Sequence, residues 1–149
     1  MKKIKKQKVY EEIKHKGKLI AIILRSDFSA DKSVFFGQPE FSQQLGYIKY
    51  GKNGVIKAHC HKEAHRKIVL TQEVLFIKKG MVEVNFYSEK QNFLTYRIVK
   101  KGDIVFLCSG GHGFRMLKDS EMIEVKQGPY SGRDSDKILF EGVENDSGK

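Results

Sequence analysis

The sequence predicts an all-β protein built from antiparallel strands closed into a barrel or sandwich. Three observations carry this. Short segments rich in Val, Ile, Phe and Tyr recur at intervals of roughly 8 to 12 residues. Glycine-containing turns separate them, at Gly51-Lys52-Asn53-Gly54, Lys78-Lys79-Gly80 and Lys101-Gly102-Asp103. Several segments alternate apolar with polar residues, the period of a strand with one buried face.

Along the chain, residues 8–16 (KVYEEIKHK) have a weak helical look, and Leu19 to Leu24 is an unbroken apolar run suited to a buried strand. Residues 25–43 read as a long connection with room for a short helical turn. Gln44 to Tyr50 and Val55 to His61 are strand candidates on either side of the Gly51–Gly54 turn. Gln72 to Ile77, Met81 to Tyr87, Phe93 to Val99 and Ile104 to Cys108 follow, then Phe114 to Leu117 and Met122 to Val125. Ile138 to Phe140 suits a short edge strand, and the tail from Glu141 looks frayed.

With 149 residues and no internal repeat, the chain suits one domain, its core spanning about residues 18–140 after a basic segment, 1–17. The longest apolar run is far too short to cross a bilayer, and MKKIKKQK is not followed by a signal core. A cytoplasmic protein without a membrane partner is the expectation. Cys60 and Cys108 are too few for a disulfide framework, so both are expected as thiols. The net charge of +10 is spread along the chain with no reader motif, which reads first as a lysine-rich solvated surface and argues against a nucleic-acid partner. Attraction for a small polar or anionic ligand is the other reading of the same charge.

Chemistry centres on His59-Cys60-His61. If these residues lie on a strand, the two imidazoles share a face, with Cα atoms roughly 6 to 7 Å apart, and Cys60 points away. Two neutral imidazoles so placed can meet one metal ion. Glu73 shares parity with Leu75 and Ile77, so it faces the interior if they do. A carboxylate placed there calls for a cation or a partner. His112 sits among Gly110, Gly111 and Gly113, which leave the backbone free and space near the imidazole. Glu63 and His65, between the His pair and Glu73, remain competing ligands. Ser109 has no base and orienter beyond His112, so a serine-hydrolase triad is not expected.

These residues resemble the cupin superfamily. Its first motif places a glycine before H-x-H, then a glutamate followed after six residues by glycine. Here Gly54 precedes His59-Cys60-His61, and Gly80 follows Glu73 by that spacing. In the second motif, Gly102-Asp103 leads to Ser109-Gly110-Gly111-His112. The likeness covers about residues 44–127. Eleven residues separate His61 from Glu73 where the family has three or four, Ser109 replaces a proline, and Met116 stands for an asparagine.

The resemblance implies a double-stranded β-helix (a jelly-roll barrel) with His59, His61, Glu73 and His112 converging on one divalent transition metal ion: Fe, Mn, Ni, Co or Zn. It further implies a metal-dependent enzyme acting on a sugar or related polar metabolite, as an isomerase, an epimerase or an iron-dependent dioxygenase. Lys126 and Tyr130 are candidates to move protons at the mouth, beside His65, Arg66 and Arg115. A non-catalytic binding or sensing module is the alternative. A homodimer is implied in either case.

Overall fold

The computed structural model describes residues 8–145. Among them ten strands form: β1 (Tyr10–His15), β2 (Lys18–Leu24), β3 (Val34–Phe36), β4 (Leu45–Tyr47), β5 (Glu73–Lys79), β6 (Met81–Tyr87), β7 (Phe93–Lys100), β8 (Ile104–Leu107), β9 (Gly111–Met116) and β10 (Glu121–Lys126). A helical turn, α1 (Arg133–Asp136), and a 3-10 turn at Val143–Asn145 follow. The fold is all-β and its strand pairings are antiparallel.

The strands make a five-stranded sheet in the order β1-β2-β8-β5-β10, a three-stranded sheet β7-β6-β9, and the β3-β4 pair. The larger two face each other across one core. Ala21, Ile23, Leu75, Ile77, Val105 and Leu107 from the first meet Val82, Val84, Phe86 and Val99 from the second. Each of these side chains larger than Ala21 contributes about 1.5 to 3 kcal/mol by leaving water. The opposite face of the five-stranded sheet, including Ile22 and Phe106, is covered by Phe36, Phe41, Leu45 and Tyr47 around β3 and β4. The sheets remain open ladders, and no closed barrel forms among the described residues.

β5 passes from one sheet to β6 in the other through Gly80 alone. Its φ is +88°, and an added Cβ would lie 2.2 Å from the Asp119 carbonyl oxygen, so only glycine fits. The same end of the sandwich is fixed by Asp103, which is 0% exposed. Its carboxylate accepts hydrogen bonds from Arg25 Nη1 (2.9 Å), Ser26 N (2.9 Å) and Lys100 N (3.0 Å). The other end, where β5 begins and β10 ends, is the mouth.

Several expectations change beside that of a closed barrel. Residues 25–43, read as a connection, hold the strand β3. Residues 10–15 are a strand, not a helix. Tyr10 and Ile13 bury against β2 through a hairpin whose turn, Lys16-Gly17, has positive φ at both positions. Val55 to His61 is not a strand: all of residues 48–71 are exposed and no ladder reaches them. Ile138 to Phe140 adds no strand. The region from Glu141 is not frayed as far as it is described, because residues 140–145 pack on β9. The packed body therefore extends beyond residues 18–140 at both ends.

Candidate functional site

Glu73 opens β5 and is register partner to both Leu107 on β8 and Lys126 on β10. The parity argument holds for it, since Leu75 and Ile77 are buried and Glu73 is 5% exposed beside them. Gln72 sets the start of the strand. Its backbone N–H donates to Gln127 Oε1 (2.7 Å), and its side-chain amide donates to the Cys108 carbonyl (3.3 Å).

His112 comes from the facing sheet. It lies on β9 rather than in a loop, paired with Phe86 and followed two residues later by Phe114, which joins the core. The imidazole therefore points inward, and its Nε2 lies 3.2 Å from Glu73 Oε2. The imidazole holds the Glu73 carboxyl below the usual carboxylate range. Burial works against this, and Lys137 and Lys126 reinforce it.

The glycines around His112 do something other than clear space at the ring. Gly111 and Gly113 face the outside of the sheet, as do their register partners Tyr87 and Asn85. A Cβ on Gly113 would lie 2.4 Å from the Glu144 carboxylate, and one on Gly111 would lie 3.0 Å from the Phe140 ring. The C-terminal segment is seated on that outer face. Tyr87 donates its hydroxyl hydrogen to Glu144 Oε2 (2.5 Å) and accepts from the Val143 N–H (2.8 Å). Arg115 also faces outward, 2.8 Å from Glu83 Oε2, and is not at the mouth.

Lys126 and Tyr130 lie together, the ammonium 5.1 Å from the ring centroid. Lys126 Nζ reaches Asp136 Oδ2 at 3.2 Å and Glu124 Oε1 at 3.7 Å, and Thr71 Oγ1 donates to Asp136 Oδ1 at 3.4 Å. Asp136 foremost pushes the Lys126 pKa up, so this side chain stays a cation at neutral pH. Asp136 and Gln127 belong to the mouth but carried no sequence signal, each being one polar residue in a polar run.

His59 and His61 are apart from this. Their rings lie 5.4 Å from each other on the exposed 48–71 loop, and His59 Nδ1 is 2.8 Å from the Lys57 carbonyl oxygen. Without a strand, the parity that turned Cys60 away has no footing, and Cys60 is exposed. Glu63, His65 and Arg66 lie on the same exposed loop. Among the described residues no group of three or more His, Cys, Asp or Glu side chains comes together. The four expected ligands thus form two separate pairs. One chain does not assemble them into a single centre.

Among the described residues no helix is long and apolar enough to cross a membrane. Comparison of the chain with protein-family models, with curated proteins and with solved structures finds no match in any of the three.

Proposed function

We propose that this chain is a cupin-like, metal-dependent enzyme that works at the mouth of the sandwich on a small polar metabolite, a sugar or sugar derivative. The observation that carries the reading is the Glu73–His112 pair, a buried carboxylate from one sheet beside an imidazole from the other. A carboxyl whose pKa is perturbed inside a fold is a candidate for chemistry, and Glu73 is one. The 3.2 Å separation of Nε2 and Oε2 is also the spacing of two adjacent ligands at about 2.0 to 2.2 Å from one ion. Facing antiparallel sheets, with six residues between Glu73 and Gly80, support a cupin-like architecture.

His59, His61, Glu73 and His112 would hold the ion, which supplies a Lewis acid for a carbonyl or hydroxyl oxygen. The chain's own residues do the remaining work. Glu73 stays ionised and orients the His112 imidazole, whose Nε2 lies 3.2 Å from its Oε2. Lys126, held charged by Asp136, offers a fixed positive group to a polar or anionic substituent of the substrate. Tyr130 lies over it and is exposed to an entering ligand.

Metal analysis of protein purified without a histidine tag is the deciding experiment. Stoichiometric metal, lost in His112→Ala, is expected. Trace metal that added divalent ions do not restore sinks the metal reading. Oxygen uptake after anaerobic iron loading, with sugars as candidate substrates, then separates a dioxygenase from an isomerase or epimerase, which consumes none.

A second reading is favoured by the separation of the two pairs: a binding module that holds a polar ligand at the Glu73–His112 mouth without turnover. Saturable stabilisation by a sugar or nucleotide sugar, with no product formed over long incubation, is its signature.

A further inference from the structure

The net charge, read along the sequence as spread, in fact sits in two stretches. Residues 1–8 hold five lysines and no acid, and residues 48–71 hold Lys49, Lys52, Lys57, Lys62, Arg66 and Lys67 against Glu63 alone. The other 117 residues balance, with 17 basic and 17 acidic side chains. The body of the sandwich is thus neutral, and the connection between β4 and β5 carries an excess of five positive charges.

That connection has no place on its own sandwich. Every residue from 48 to 71 is exposed, and no ladder reaches them. None of its six basic groups meets a carboxylate among the described residues. Lys49 donates to the Ala30 carbonyl oxygen, which leaves its charge unneutralised. Beside the charges stand two aliphatic clusters: Val55 and Ile56 precede Lys57, and Ile68, Val69 and Leu70 follow Arg66 and Lys67. These five are 45% to 77% exposed. A structureless connection of this length in a small domain calls for a functional explanation, and uncovered aliphatic clusters call for a surface to cover them.

The surface must offer negative charge and hydrocarbon side by side. An anionic bilayer does so: lipid phosphates meet the ammonium groups, while lysine stems and aliphatic neighbours enter the acyl boundary. A nucleic acid offers phosphates, but it rewards stacked aromatics and the planar fork of arginine. The loop has one aromatic, Tyr50, and one arginine, Arg66, against five lysines. Its aliphatic clusters would stay in water on such a partner.

We propose that the 48–71 loop docks this protein on an anionic lipid surface. Val55-Ile56 and Ile68-Val69-Leu70 enter the boundary, and the lysines between them hold the phosphates. The contact is peripheral and reverses the expectation of a protein without a membrane partner. It is independent of the metal-site reading, because none of the side chains it uses is an expected ligand.

The test is sedimentation of the full chain with vesicles of equal parts phosphatidylglycerol and phosphatidylcholine, beside vesicles of phosphatidylcholine alone. Binding to the first and not the second is expected, falling steeply as salt rises. Lys57→Gln, Lys62→Gln and Lys67→Gln together should weaken it on the order of 100-fold. Ile68→Asn with Leu70→Asn should weaken it at least about tenfold at unchanged charge. No binding to anionic vesicles, or equal binding to both kinds, overturns the proposal. Binding that survives the lysine substitutions also overturns it, because residues 1–8 then make the contact. Tighter binding to single-stranded RNA, indifferent to the aliphatic substitutions, overturns the lipid in favour of nucleic acid.

A second measurement needs no substitution. Cys60 is the exposed thiol and lies within the loop, whereas Cys108 is buried, so an environment-sensitive fluorophore can be placed on Cys60 alone. A blue shift of its emission on the anionic vesicles is expected. Sedimentation with the vesicles and no shift puts the loop away from the lipid and overturns the docking.

Discussion

The Tyr87 hydroxyl ties Glu144 and the Val143 N–H to the outer face of β9, directly behind the strand that presents His112 to the interior. Tyr87→Phe removes both contacts and leaves a backbone N–H short of a partner. A loss of about 1 to 2 kcal/mol is expected in urea unfolding. Burial, followed by the hydrogen bond to Glu144, pushes the Tyr87 pKa up to about 12. Its folded value thus lies above the unfolded one, so this contribution is whole below pH 10 and lost as pH rises toward 12. The phenylalanine variant should lack that alkaline limb.

Gly113→Ala tests the same contact from the other side. The new Cβ collides with the Glu144 carboxylate at 2.4 Å, and overpacking of this kind costs about 1 to 3 kcal/mol. Glu144→Ala on top of it should recover part of that loss. A thermal-melt double-mutant cycle with no coupling would show that the segment is not seated there.

Acid titration of stability should report Glu73. Its carboxyl, lowered first by His112, contributes stability that is present above the ordinary value of 4.5. That contribution is lost as pH falls through the lower folded value. Glu73→Gln should flatten the stability profile below about pH 5 relative to wild type. Urea midpoints between pH 3 and 6 decide the matter, and parallel profiles count against the pairing.

At the closed end, Asp103→Ala strips Arg25 of its carboxylate and leaves a buried guanidinium, with two backbone N–H groups also unpaired. The expected cost is roughly 3 to 5 kcal/mol by chemical denaturation, the largest of these substitutions.

The two thiols should separate cleanly. Cys60 is exposed and should react with a maleimide at once in folded protein. Cys108 is buried, with its thiol pushed up to about 12 by that burial, and should react only on unfolding. Mass-resolved labelling over time checks this.

Much of the fold was legible because its strands obey simple patterns. Leu19 to Leu24 and Met81 to Tyr87 announce themselves by composition and alternation, and the inward face of Glu73 follows from Leu75 and Ile77. β1 was misread because Glu11, Glu12 and Lys14 suit a helix by propensity, whereas the hairpin turn at Lys16-Gly17 and the burial of Ile13 decide for a strand. Pairing sets the state of His112: a glycine-rich stretch looks like a loop, yet β6 draws Gly111 to Met116 into a ladder. His59 and His61 fail for the opposite reason. Val55 and Ile56 look like strand residues, but no neighbouring strand pairs with them, and an unpaired strand is not one.

Gly80 carries a mechanical implication. Because β5 and β6 are joined there by a single residue, beside the Arg25–Asp103 lock, the two sheets are pinned together at that end. At the mouth they are joined a second time, by the three residues between β8 and β9, and Gln72 ties its side chain to the Cys108 carbonyl there. Glu73 and His112 thus face each other across a gap that is stapled at both ends, which leaves little slack for parting them.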